Sequence, residues 1–96
     1  MALTGKQKQF LRAAAHKLKP VIMVGNGGVS DSVVAEFATT IAHHELIKAK
    51  IAAGDHTERD QLIATLAQRG EAEVIQVIGR IAVFYRRAQT PKLVLP

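Results

Sequence analysis

The residues of this sequence best suited to chemistry are Gly25-Asn26-Gly27-Gly28, set between an apolar run and a capped helix. Three glycines and an asparagine carry little side-chain bulk and tolerate positive φ. Another molecule's backbone can therefore come within hydrogen-bonding range of the loop amides. The helix that follows aims its free N–H groups at the same place, and a phosphate suits that arrangement. Nothing in the loop reads a base, so its expected role is to grip a nucleic-acid backbone and set register.

A bare Gly-x-x-Gly pattern also serves as a plain strand-to-helix turn, or as a mononucleotide site. The second alternative lacks support. A P-loop needs Lys followed by Ser or Thr at the helix start, and here Val29 and Ser30 follow Gly28. The dinucleotide fingerprint needs a third glycine where Ser30 stands, and its acid belongs at a strand end, whereas Glu45 precedes its strand. A metal site is not expected. His43 and His44 are adjacent and diverge by about 100° on a helix, His16 and His56 lie elsewhere, and there is no cysteine. No Ser-His-Asp or paired-carboxylate set presents itself, and Ser30 and Ser32 are better used as caps. Neither catalysis, a cofactor nor a small-molecule substrate is expected.

Charge adds a second signal. The chain of 96 residues carries a net +5, unevenly distributed. Residues 1–30 hold Lys6, Lys8, Arg12, Lys17 and Lys19 and no acid. Residues 31–73 hold eight acids against four cations, and residues 74–96 hold Arg80, Arg86, Arg87 and Lys92 with no acid. If the two basic ends meet in space they form one face suited to a polyanion. Lys48 and Lys50 add a further pair, on one side of a strand. Tyr85 is able to stack on a base, but one Tyr and three Phe make no aromatic platform.

These residues need elements to hold them. The chain is long enough for one domain, 1–96, with a core of aliphatic side chains, since aromatics are only 4%. The absence of cysteine fits a cytoplasmic location, and no apolar run is long enough to span a membrane. Thr4 and Gln7 form a capping-box pair opening a first helix, whose stripe is Phe10, Leu11, Ala14 and Leu18 and whose flanks carry Lys8, Arg12 and Lys19 on one side and Lys6 and Lys17 on the other. Pro20 stops it. Val21–Val24 reads as a buried parallel strand. Ser30 caps a second helix, with Asp31 in its first turn and Val33, Val34, Phe37, Ala38 and Ile41 inward, ending near His43-His44. Leu46 to Ala52 alternates as a strand. Thr57 is placed to cap a third helix burying Leu62, Ile63, Leu66 and Ala67, which Gly70 ends. Glu73–Ile78 and Ile81–Arg86 are strands joined tightly at Gly79-Arg80. The tail from Pro91 is expected to be irregular, with Leu93-Val94-Leu95 free to pack. The order α-β-α-β-α-β-β predicts an α/β (α+β) two-layer fold: a mixed four-stranded sheet with two right-handed crossovers, a final antiparallel strand and at least two helices on one face.

Four blocks, Ala15-His16-Lys17-Leu18-Lys19-Pro20, Gly25 to Gly28, His44-Glu45-Leu46-Ile47-Lys48, and Gln76-Val77-Ile78-Gly79-Arg80 through Val83-Phe84-Tyr85-Arg86, resemble the bacterial YhbY-like CRM-domain family. The resemblance runs in register from about Leu3 to Arg86, with Val29 and Phe84 standing where Leu is usual. It implies a fold like the C-terminal domain of translation initiation factor three. It also implies RNA binding through the Gly25-to-Gly28 loop, association with ribosomal RNA in precursors of the large subunit, and a role in ribosome maturation. The RNA-binding set expected from loop, charge and resemblance is Gly25, Asn26, Gly27, Gly28, Lys6, Lys8, Arg12, Lys17, Lys19, Lys48, Lys50, Arg80 and Arg86, in a monomer. Two other readings compete: a module docking on a ribosomal protein through the acidic middle segment, and a phosphate-dependent enzyme.

Overall fold

The computed structural model describes residues 2–96. The elements are α1 (Gly5–Ala15), β1 (Pro20–Val24), α2 (Asp31–His44), β2 (Leu46–Ile51), α3 (His56–Arg69), β3 (Glu73–Ile78) and β4 (Ile81–Tyr85). The predicted order is therefore observed. The sheet order is β1-β2-β4-β3. β1 pairs parallel with β2, while β4 is antiparallel to both β2 and β3. The final hairpin does supply the antiparallel strand, and it inserts that strand into the middle of the sheet.

Alternation along β2 separates two cores. Ile47, Ala49 and Ile51 face α2 and α3, where they join Ile22, Val24, Phe37, Ile41, Ile63, Leu66 and Phe84. The sheet and these two helices, with this core between them, make the α/β two-layer body. Leu46 faces the other way and packs with Leu11 and Ala15 of α1, together with Ile75, Val83 and Tyr85. So α1 lies across the opposite face from α2 and α3. A bulge between Val74 and Gln76 breaks strict alternation in β3 and puts Ile75 into this second core.

Local chemistry explains most boundaries. Thr4 and Gln7 exchange backbone and side-chain hydrogen bonds at 3.0 and 3.1 Å, closing the capping box. The helix then ends at Ala15, well short of Pro20. Lys17 and Lys19 consequently sit in the connection to β1 and not on the helix flanks, although Leu18 still reaches the α1 core. α3 begins two residues earlier than a Thr57 cap requires. The Asp55 carboxylate accepts from the Glu58 amide at 2.8 Å, and a charged acceptor outcompetes the threonine hydroxyl two residues on. β1 is not buried on both faces. It is an edge strand, and Val21 and Met23 are 53% and 63% exposed.

Gly70 ends α3 for a different reason from a left-handed cap. Its φ is −87°, and Glu71 takes the left-handed conformation instead. A Cβ at position 70 would stand 2.3 Å from the Phe37 ring. Glycine is there so that Phe37 can lie against the chain and meet Phe84 edge-on, with ring centroids 5.1 Å apart. Arg86 locks the same corner, donating to the carbonyls of Gly70 (2.9 Å) and Ala38 (3.1 Å).

The tail is irregular, as expected, and it is also anchored. Glu45, fully buried, has φ of 64° just beyond α2. Its carboxylate accepts from the amides of Ala88, Lys92 and Leu93. Leu93 and Leu95 then close the α1 core, while Val94 points out. The neighbouring Tyr85 phenol is pushed above its ordinary value of 10.0, chiefly by burial and secondarily by the Glu45 charge.

Candidate nucleic-acid interface

Parallel strands deliver their following loops to one end of a sheet. Here the Ala52 amide donates to Val24 O at 2.8 Å, and the Ile51 amide to Arg80 O at 2.7 Å. The β1–α2 loop, the β2–α3 connection and the β3–β4 hairpin therefore share one edge of the molecule.

In the loop, the Gly28 amide closes a turn on Gly25 O at 3.0 Å, which leaves Asn26 and Gly27 at an exposed tip. Gly28 has φ of 68°, a conformation that L residues avoid. The other three loop residues lie outside that region. A Cβ at Gly25 or Gly27 would meet nothing within 4 Å. The fold thus accounts for glycine at 28 and not at 25 or 27. Open backbone at those two positions is space that something outside the chain can use. Ser30 caps α2 through the Val33 amide at 3.2 Å, as predicted.

Arg69, at the end of α3, braces the loop exit. It donates to Val29 O at 3.1 Å and to the Asp31 carboxylate at 2.6 Å. Sequence reasoning missed it, because nothing local joins residues 38–40 positions apart. Arg69 partly cancels the Asp31 charge, which would otherwise oppose a phosphate at this helix end.

The cations predicted to bind do not all come together. Lys48 and Lys50 project from β2 on the α1 side, and Lys50 is in register with Met23, two residues before Gly25. Arg80 is exposed on the hairpin beside Arg59, which donates to Gly79 O at 2.9 Å and pairs with Asp60. Arg12 of α1 borders a groove with Lys48. Lys6 and Lys8 flank Gln7, whose side chain reaches the Pro96 carbonyl toward the far end of the sheet. Lys19 borders a hollow with His44 and Leu46, at the start of β2 and away from the loop. Lys17 is exposed in the connection between α1 and β1. Arg86, also expected to bind, has its guanidinium engaged by the two carbonyls already described. Among the described residues, no three His, Cys, Asp or Glu side chains converge as a metal site, and no helix is long and apolar enough to cross a membrane.

Comparison with known proteins matches residues 3–86 to the CRS1 / YhbY (CRM) domain. An "RNA-binding protein" of Haemophilus influenzae is 42% identical over 94 residues, covering 98% of this chain and 95% of that protein. The "Probable RNA-binding protein YqeI" of Bacillus subtilis is 34% identical over 90 residues, covering 94% of each. The solution structure of SAV1595 from Staphylococcus aureus superimposes with a TM-score of 0.84 at 33% identity, covering 99% of this chain and 100% of that one.

Proposed function

The chain belongs to the CRS1 / YhbY (CRM) domain family, and from that premise we propose that it is a non-catalytic RNA-binding domain. In this reading the loop amides of Gly25–Gly28 and the N-terminus of α2 hold RNA phosphates. Lys50, Lys48, Arg80 and Arg12 supply the surrounding positive field. The observation that carries it is the open loop itself: glycine stands at positions 25 and 27 where the fold leaves room for a side chain. An RNA backbone makes use of that room; a plain turn does not. The relatives named for RNA binding support the same partner.

The RNA is ribosomal, within precursors of the large subunit. This rests on the family resemblance, together with a grip that holds backbone and leaves sequence unread. The test is crosslinking in cells followed by mapping of the joined RNA positions. Sites concentrated on large-subunit ribosomal RNA are expected. A scatter over unrelated transcripts overturns the assignment. In vitro, affinity for structured RNA falls steeply with salt; binding that ignores salt removes the phosphate grip.

A further inference from the structure

α1 covers only part of its face of the sheet. Beyond it lies a groove of about 170 Å³, lined by Arg12, Lys48, Gln76, Ile78, Ile81 and Val83 among others. Its floor is aliphatic, and Ile78 is 62% exposed there. Its rim is cationic and its lining includes no carboxylate. Neither Arg12 nor Lys48 forms an ion pair among the described residues, where the ion pairs are Arg59–Asp60 and Arg69–Asp31.

We infer that this groove takes one unpaired nucleotide of the RNA held by the Gly25–Gly28 loop; the inference rests on that backbone-gripping reading and adds a site where a base is received. A purely apolar ligand would leave two cations without partners, and a bare anion would leave the aliphatic floor wet. A nucleotide supplies both a flat apolar ring and a charge. A cavity of roughly 150 Å³ accepts a benzene-sized ring, so this open groove has room for one six-membered ring of a base. Its face lies on Ile78 and Ile81, with buried Val83 at the base of the groove and the Arg12 guanidinium able to stack or to hold phosphate. The Gln76 amide offers both a donor and an acceptor to the base edge. Lys48 takes the phosphate as a point charge.

Placement favours one RNA strand serving both sites. Lys48 and Lys50 share a face of β2, and Ile51 is in register with Val24, immediately before the loop. Three residues of strand separate Lys48 from that level, about 10 Å, which a few linked nucleotides bridge.

The experiment is NMR titration of the isotope-labelled full chain with short single-stranded RNAs of uridine, adenosine or cytidine, and with a matching abasic ribose-phosphate oligomer. Loop amides of residues 25–28 are expected to shift with all of them. The Gln76 side-chain amide and the methyls of Ile78, Ile81 and Val83 are expected to shift only when bases are present. Gln76→Ala, on a half-buried edge-strand position, is expected to weaken binding of at least one base-bearing RNA roughly three- to tenfold and to leave the abasic oligomer unchanged. Groove signals that stay still while the loop responds overturn the base site. Equal groove shifts with the abasic oligomer, or equal losses for both ligand types in the variant, overturn it too. If neither loop nor groove responds to any RNA, the backbone-gripping reading itself fails, and this inference with it.

Discussion

Arg69 holds the Asp31 carboxylate at 2.6 Å across 38 residues of sequence, at the first turn of α2 and three residues past Gly28. The pair is largely solvent-exposed, so its contribution to stability is at most about 1 kcal/mol. Its larger consequence is electrostatic, because Arg69 offsets the one carboxylate at the helix end that the proposed phosphate would approach.

Asp31→Asn is accordingly expected to tighten RNA binding a few-fold, and Arg69→Ala to weaken it, with Tm little changed in either. Fluorescence anisotropy with a structured RNA at fixed salt measures both. Equal affinities for the two variants would mean that phosphate does not approach this helix end.

The glycines of the loop separate stability from binding. Gly28→Ala forces an L side chain to φ of 68° and is expected to cost roughly 1–2 kcal/mol. Gly25→Val fills open space and is expected to leave denaturation midpoints unchanged while lowering RNA affinity. Gly28→Asp, with a residue better tolerated at positive φ, is expected to abolish RNA binding in a protein that still folds. Chemical denaturation alongside RNA titration checks all three.

Among the basic residues, structure divides those able to contact phosphate from those already occupied. Lys50→Ala and Arg80→Ala are each expected to reduce the slope of log affinity against log salt by about 0.7–0.9. Arg86→Ala is expected to cost about 2–3 kcal/mol through loss of its two bonds to carbonyls. For a domain of this size that lowers Tm by roughly 10–20 °C. The salt slope of the folded fraction stays as in the parent.

Tyr85 is the sole tyrosine, and there is no tryptophan, so its ionisation can be followed cleanly by ultraviolet absorbance. Its phenol titrates above the ordinary 10.0 in the folded chain. Proton binding is then tighter in the folded state than in the unfolded one. Its contribution is fully present below about pH 10 and is lost as pH rises from there through the folded value. Stability is expected to fall over that alkaline range, and Tyr85→Phe to remove this part of the fall. An absorbance midpoint at 10.0 in the folded protein would contradict the assignment.

Much of this architecture is legible from residue patterns. The Ile47-Lys48-Ala49-Lys50-Ile51 alternation states a strand with one dry face. The Thr4–Gln7 pair states a helix start, and the glycine cluster a strand-to-helix loop. Local signals fail where the deciding partner is remote. Val21 to Val24 is apolar throughout, and composition does not distinguish a central strand from an edge strand whose outer face stays open. Arg86 is an ordinary basic residue until the Gly70 and Ala38 carbonyls are placed beside it. Glu45 resembles any acid at a helix end, and only the folded tail reveals its three amide donors. Within the interface, the loop was visible because it is contiguous. The sorting of cations into near and far was not, because it depends on where α1 crosses the sheet.

The sheet order β1-β2-β4-β3 also has a temporal meaning. β3 touches no strand except β4, and β4 is the last strand in the chain. Until residues 81–85 are available, β3 has no neighbour and the inner edge of β2 is bare. A chain lacking them can pair β1 with β2 but cannot complete the four-stranded sheet. β3 and β4 are joined through Gly79-Arg80, so their pairing is local in sequence, whereas β2 and β4 are brought together from some thirty residues apart. The β1–β2 pair that carries residues 25–28 therefore gains its second neighbour, β4, only when the final strand is in place.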